Sequence, residues 1–144
     1  MSILTLPKTI QNAIQTMVYL TLNDKENCNV SKISKEYKIS KTYLAKIVQT
    51  LSLNKLIKTS TGRNGGIYLN KKPESIKVID IADAINGIKK KKNLCVLGIG
   101  DCNEKTHCPI HHSWKQVKNT INKKLSEQNL KTLSIELSKK INKK

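Results

Sequence analysis

Ile39-Ser40-Lys41-Thr42-Tyr43-Leu44-Ala45-Lys46-Ile47-Val48-Gln49-Thr50-Leu51 decides the fold. Leu44, Ile47, Val48 and Leu51 recur at helical spacing, which predicts a helix over residues 39–53 with one apolar face. Ser40 stands where an N-cap belongs, and Ile39 before it can pack on Leu44 as a hydrophobic staple. Just upstream, Ser31 to Tyr37 carries Ile33 and Tyr37 four apart and predicts a shorter helix. Two helices joined by a very short turn, the second well capped, make a helix-turn-helix. The face outside the apolar set carries Lys41, Thr42, Lys46, Gln49 and Thr50, side chains that reach phosphates and base edges in a major groove. The wet side of any amphipathic helix has the same look, so the next segment has to discriminate.

Leu56 to Thr59 and Ile67 to Leu69 read as two short strands, and Ser60-Thr61-Gly62-Arg63-Asn64-Gly65-Gly66 between them as a glycine-rich hairpin turn. A hairpin directly after a helix-turn-helix is a wing. Arg63 at its tip is the single arginine of a chain with 27 basic residues, the rest lysine. Arginine is favoured in narrow minor grooves, where the negative potential is enhanced, so Arg63 reads as a DNA contact with Asn64 beside it. The turn glycines are equally explained by hairpin geometry alone. The global charge agrees: a formal net charge of +17 seeks a polyanion, and nucleic acid is the leading candidate. Biased lysine usage would explain the abundance of charge, though not its placement. The DNA-contact set expected from these residues is Ser40, Lys41, Thr42, Tyr43, Lys46, Arg63 and Asn64.

Around this centre, 144 residues suffice for one compact domain or two small lobes sharing a core. With no phenylalanine and 3% aromatics, that core has to be aliphatic. Residues 7–22 predict a first helix, with Pro7 at its start and Ile10, Ala13, Ile14, Met17, Val18 and Leu22 on its apolar stripe. Cys28 falls in the polar connection that follows and reads as incidental, not as a ligand. Pro73 divides the chain into a winged helix-turn-helix lobe over 1–72 and a sensor and dimerisation lobe over 73–144. Val78 to Asn86 predicts a short helix stopped by Gly87, and Lys89 to Lys92 a solvated linker. Pro109 can start a long helix in which Trp114, Val117, Ile121 and Leu125 share a narrow stripe. That stripe reads as a dimer seam, with packing on the first helix of the same chain as the other reading. A last helix spans about Leu130 to Ile141, with Leu133, Leu137 and Ile141 on one face. The fold expected is mainly α with a small β-wing. No apolar run approaches a membrane span, and the first residues lack the pattern of a secretion signal, so a cytoplasmic protein is expected.

Chemistry concentrates between Cys95 and His112, where three of the four cysteines and all three histidines lie. Thiolate and imidazole bind soft and borderline metals. The spacing is Cys-x6-Cys-x5-Cys-x2-His with His111 as fourth ligand, which differs from the paired Cys-x2-Cys of structural zinc. A wide loop around one centre, kept pliable by Gly98 and Gly100, suits an iron–sulfur cluster better than one zinc ion. An unligated surface loop is the plain alternative.

Ile39 to Ile47, the wing Thr61-Gly62-Arg63-Asn64-Gly65-Gly66-Ile67-Tyr68-Leu69, and Cys95, Cys102 and Cys108 followed by His111 and Trp114 together resemble the bacterial Rrf-type winged-helix regulators, the family of the IscR- and NsrR-like iron–sulfur regulators. The resemblance runs from the first helix to Thr132-Leu133. It implies a homodimer whose long helices cross, with a cluster at each flank near the DNA-binding lobe, ligated by Cys95, Cys102 and Cys108. His111 matches the histidine ligand of the IscR type. Other members use an acidic residue of the first helix, and this chain has no carboxylate side chain before Asp24, which favours His111. Thr61 replaces the arginine that opens many wings of the family, and Ala45 replaces the glutamate with which the IscR type discriminates sequence. The first cysteine gap is one residue wider, which leaves [2Fe-2S] and [4Fe-4S] both open.

The function expected is a transcription regulator, a repressor or activator on a pseudo-palindromic operator, whose grip depends on the state of an iron–sulfur cluster sensing iron–sulfur status, redox state or nitric oxide. A DNA-binding regulator with a zinc-bound or directly redox-active thiol loop is the alternative. A thiol enzyme built on Cys108 and a neighbouring histidine is remote, because the loop offers no group to orient a base. No enzyme activity is therefore expected.

Overall fold

The computed structural model describes residues 5–63, 65–87 and 93–142, so Asn64 and the Lys89–Lys92 run lie outside the described residues. Six helices and one hairpin follow in order: α1 (Lys8–Leu22), α2 (Val30–Tyr37), α3 (Lys41–Leu53), β1 (Ile57–Ser60), β2 (Gly66–Leu69), a 3-10 turn at Pro73–Ser75, α4 (Val78–Asn86), α5 (His111–Glu127) and α6 (Leu130–Asn142).

Local chemistry sets the ends of the helix-turn-helix. The Asn29 side chain accepts the Lys32 amide (2.9 Å) at the start of α2, and Ser40 Oγ accepts the Tyr43 amide (3.2 Å) at the start of α3. Each satisfies one of the amides that a first helical turn leaves without an intrahelical partner. Between them Lys38 takes a left-handed conformation with φ 54°, which turns the chain sharply out of α2. Ile33, Leu44 and Leu51 lose all exposure, and Ile47 nearly all. Burying one such side chain stabilises by about 1.5–3 kcal/mol, so this apolar set fixes the angle between the two helices.

The wing is a two-stranded antiparallel sheet in the register Ile57↔Leu69, Lys58↔Tyr68, Thr59↔Ile67 and Ser60↔Gly66. Its glycines do more than permit a turn. A Cβ on Gly65 would lie 2.6 Å from the Ser60 carbonyl oxygen, and one on Gly66 would lie 2.8 Å from that of Cys28 and collide with Asn27 Oδ1. Beside this close approach the Ile67 amide donates to the same Cys28 carbonyl (2.8 Å). The strand thus lies against the α1–α2 connection, and Cys28 is a core residue, 2% exposed, within the cluster that also holds Ile33 and Leu44.

α1 is the hub. It packs on α3, α4, α6 and β2, and Ile10, Ala13, Met17 and Val18 are buried as the spacing predicts. Leu22, assigned to that stripe, is 43% exposed, because it falls in the last turn, where the chain leaves the core. The second half is stitched on by backbone: Leu130 N donates to Ile76 O (2.8 Å) and Val78 N to Gln128 O (3.0 Å). Ile76, Ile81 and Leu130 join the same buried cluster as α1 to α3. Asp80 accepts the Lys77 amide (3.0 Å) at the head of α4, and Gly87 ends it in the left-handed conformation with φ 58°.

Three expectations for the second half need correction. α5 begins at His111 with Ile110 as its cap, two residues beyond Pro109. The other reading of the α5 stripe, packing on the first helix, is not met: α6 covers α1, while α5 rests on α4. Ile141, placed on the apolar face of the last helix, is exposed, since α6 outruns the core there.

Candidate metal centre and nucleic-acid interface

Residues 93–110 form a loop held by its own hydrogen bonds. Leu94 and Asp101 pair as an isolated antiparallel bridge, and Cys95 N donates to Gly100 O (3.1 Å) while Cys102 N donates to Asn93 O (2.7 Å). Gly98 N closes a turn on Cys95 O (3.0 Å), with Gly98 and Gly100 at φ 73° and 65°, conformations that cost a side-chain-bearing residue free energy. Asn103 Oδ1 accepts the amides of Lys105 (2.9 Å) and Thr106 (2.8 Å), which folds the chain back so that Cys108 meets the first two cysteines.

The three sulfurs lie within 4.8 Å of one another. Cys95 and Cys102 are buried and Cys108 partly so. The Cys95 thiol is held down at about 7 by the amides of Leu97 and Ile99, with help from the neighbouring thiols. The Leu97 N–H to Cys95 Sγ distance is 3.4 Å. At Cys102 the Cys108 amide favours thiolate, but desolvation and competition with the thiols of Cys95 and Cys108 outweigh it and push the thiol up. Amides that favour a thiolate also favour a metal-bound sulfur. All three cysteines, His111 and Trp114 line a cavity of about 680 Å³, with Lys115 and Lys118 at its side. These donors and this space fit a metal ion or an inorganic cluster.

His111, expected as the fourth ligand, lines the same cavity and is tied to Cys108 through its backbone amide (3.1 Å). Its side chain falls in a second donor group, with Glu104 and His112. Glu104 and His112 were not singled out from sequence. A carboxylate seven residues ahead of a His-His pair in a metal-type loop was the available signal.

In the winged lobe, Ser40, Lys41, Thr42, Lys46 and Arg63 are exposed. Tyr43 is half-buried and its hydroxyl donates to Thr9 (2.9 Å), so it braces α3 on α1. On α5, Trp114, Val117 and Leu125 are half-buried and Ile121 is 38% exposed; no residue of this helix is fully buried.

Residues 6–136 match the family model Rrf2, described as an iron-dependent transcriptional regulator. The chain belongs to the Rrf2 family. Its relatives include the HTH-type transcriptional regulator NsrR of Bacillus licheniformis, 35% identical over 115 residues that cover 79% of this chain and 76% of that one. The fold is that of CymR, the global cysteine regulator of B. subtilis, at a TM-score of 0.75 and 19% identity over 93% of this chain and 98% of that one. The same fold is found in T. potens IscR, at 0.71 and 21% identity, covering 92% and 88%. Members of the Rrf2 family are transcriptional regulators, not enzymes, and this chain is a winged-helix regulator of that kind. Among the described residues no helix is long and apolar enough to cross a membrane.

Proposed function

We propose that the chain is a homodimeric repressor or activator whose affinity for a pseudo-palindromic operator is set by an iron–sulfur cluster on Cys95, Cys102, Cys108 and His111. The convergence of three thiols within 4.8 Å of one another, lining a cavity that His111 also lines, carries this reading. When bound, the cluster would supply a centre that responds to iron supply, oxidants or nitric oxide. The protein's own part is mechanical. Residues 93–110 run directly into α5, so tethering the sulfurs to one centre stiffens the start of that helix. The unfilled stripe Trp114, Val117, Ile121 and Leu125 would be covered by a second copy, residues 73–144 thereby acting as the sensor and dimerisation part. The spacing of two recognition helices on DNA then follows the angle of the α5 pair.

In residues 1–72, Lys41, Thr42 and Lys46 would enter the major groove, with Ser40 and Tyr43 at the helix start and Arg63 with Asn64 at the wing tip reaching the minor groove. The exposure of Ser40, Lys41, Thr42, Lys46 and Arg63 and the +17 charge support this assignment.

A second reading has one observation in its favour. Sulfurs about 3.8 Å apart suit a single zinc ion at bond lengths of about 2.3 Å, and the thiols here lie within 4.8 Å of one another. Metal and acid-labile sulfide counts on anaerobically purified protein separate the two. The cluster reading expects brown protein with iron and sulfide, and no colour in Cys102→Ala. Colourless zinc protein from iron-replete anaerobic cells would overturn it.

A further inference from the structure

Beside the three thiols, the same loop builds a separate set of nitrogen and oxygen donors. Ligand atoms of Glu104, His111 and His112 lie within 4.8 Å of one another. His107 closes the group, its ring centroid 4.7 Å from that of His112 and 5.3 Å from that of His111. His111 Nε2 is buried without a hydrogen-bond partner, on a side chain only 15% exposed, and stands 3.9 Å from Glu104 Oε1. A buried ring nitrogen left unpaired is costly unless something coordinates it. Two imidazoles and one carboxylate are the donor set of open zinc sites, and they need contract only to about 3.4 Å apart for bonds of about 2.1 Å.

From this geometry we infer that Glu104, His111 and His112 form a second site, for a borderline divalent ion of the zinc class, which shares only His111 with the three-thiol centre. His107 stands ready as a third imidazole and fourth ligand, and otherwise water completes the shell. Lys115 now pairs with Glu104. That ion pair is exposed and weak, so the lysine can swing out when a cation arrives. The same bond explains why the Glu104 carboxyl is held below its usual range, first by Lys115 and then by the two histidines. The partial positive charge at the start of α5 favours a carboxylate at this place, and the carboxylate in turn makes a cation tolerable there. His111 is shared between the two donor sets, so an ion here competes with the thiol centre for that ring. The site itself does not depend on the identity of whatever the thiols hold.

Cobalt(II) is the probe, because thiolate ligation gives sulfur-to-metal charge-transfer bands that nitrogen and oxygen ligands lack. The full-length, metal-free Cys95→Ser/Cys102→Ser/Cys108→Ser protein should still bind one equivalent, with ligand-field bands only. Adding His112→Ala or Glu104→Gln should weaken that binding at least tenfold, and Lys115→Gln should tighten it several-fold. In the otherwise native metal-free chain, where the three thiols can hold cobalt with water in place of His111, His112→Ala should remove one of two equivalents and leave the charge-transfer band intact, which keeps the test sound if the triple variant misfolds. A His112→Ala chain that still takes two equivalents would overturn the inference, as would a Lys115→Gln chain that binds cobalt more weakly. Absence of sulfide in the anaerobic protein would sink the cluster reading while leaving these outcomes untouched.

Discussion

In α3, Leu44 and Leu51 have no exposed surface and Ile47 almost none, whereas along residues 93–110 the buried side chains are Cys95 and Cys102, and Leu94, Leu97 and Ile99 stand in solvent. The winged lobe is held by apolar packing over a shared core. The cysteine loop is held by turn hydrogen bonds and, on the proposed reading, by what its sulfurs would bind. The first can keep its shape through every state of the protein, and the second would change shape if that ligand left. A regulator of this kind needs one part of each sort: a rigid reader and a sensor of low intrinsic stability.

The largest expected effect breaks the rigid side. Leu44→Ala should lower unfolding free energy by about 2–5 kcal/mol through the cavity it leaves, measured by urea denaturation of metal-free protein. Cys102→Ser in the same assay should cost no more than about 1 kcal/mol, because Cys102, though buried, lies outside the apolar core cluster. Equal losses would erase the contrast. Gly66→Ala comes next, at about 1–3 kcal/mol, since its methyl would meet the Cys28 carbonyl and Asn27; an unchanged melting curve would mean that the wing is not seated on the α1–α2 connection.

The smallest effect sharpens the loop side. In metal-free protein the ultraviolet thiolate absorbance of Cys95 should rise through about pH 7, because bonds from the Leu97 and Ile99 amides lower its pKa, and thiolate forms above that value. Cys28, pushed up mainly by burial, should titrate only well above it. Cys95→Ser should remove the low-pH component. If that component persists, the loop amides do not point at this sulfur.

The same contrast decides what could be read from the sequence. Apolar periodicity is a property of helices that pack on a core, so Leu44, Ile47 and Ile81 announced their elements, as Ser40 and Gly87 announced the ends. The hairpin was legible from its glycines, though not the reason for them: the approach of β2 to Cys28 depends on how α1 and α2 sit together. Cys28 itself looked incidental in a polar connection and is a core residue. Residues 93–110 have no periodicity to read. Residue types exposed the donors, but only the turns at Gly98 and Asn103 decide which donors meet. The structure brings the three thiols together, while Glu104 reaches His111 and His112 from the loop ahead of α5, which begins two residues later than Pro109 implies. Covering α1 by α6 instead of α5 is a matter of chain path, set by the backbone pairing of Leu130 with Ile76, which no side-chain pattern records.

The most direct test of the coupling between the two regions is operator affinity measured by gel shift on one anaerobic preparation, before and after the cluster is removed. The account predicts a change of roughly 5–150-fold, the range of a coupling of about 1–3 kcal/mol, and predicts that Cys102→Ala binds like the stripped protein. Identical titrations for loaded and stripped protein, at one salt concentration, would show that the loop does not govern the winged lobe's hold on DNA.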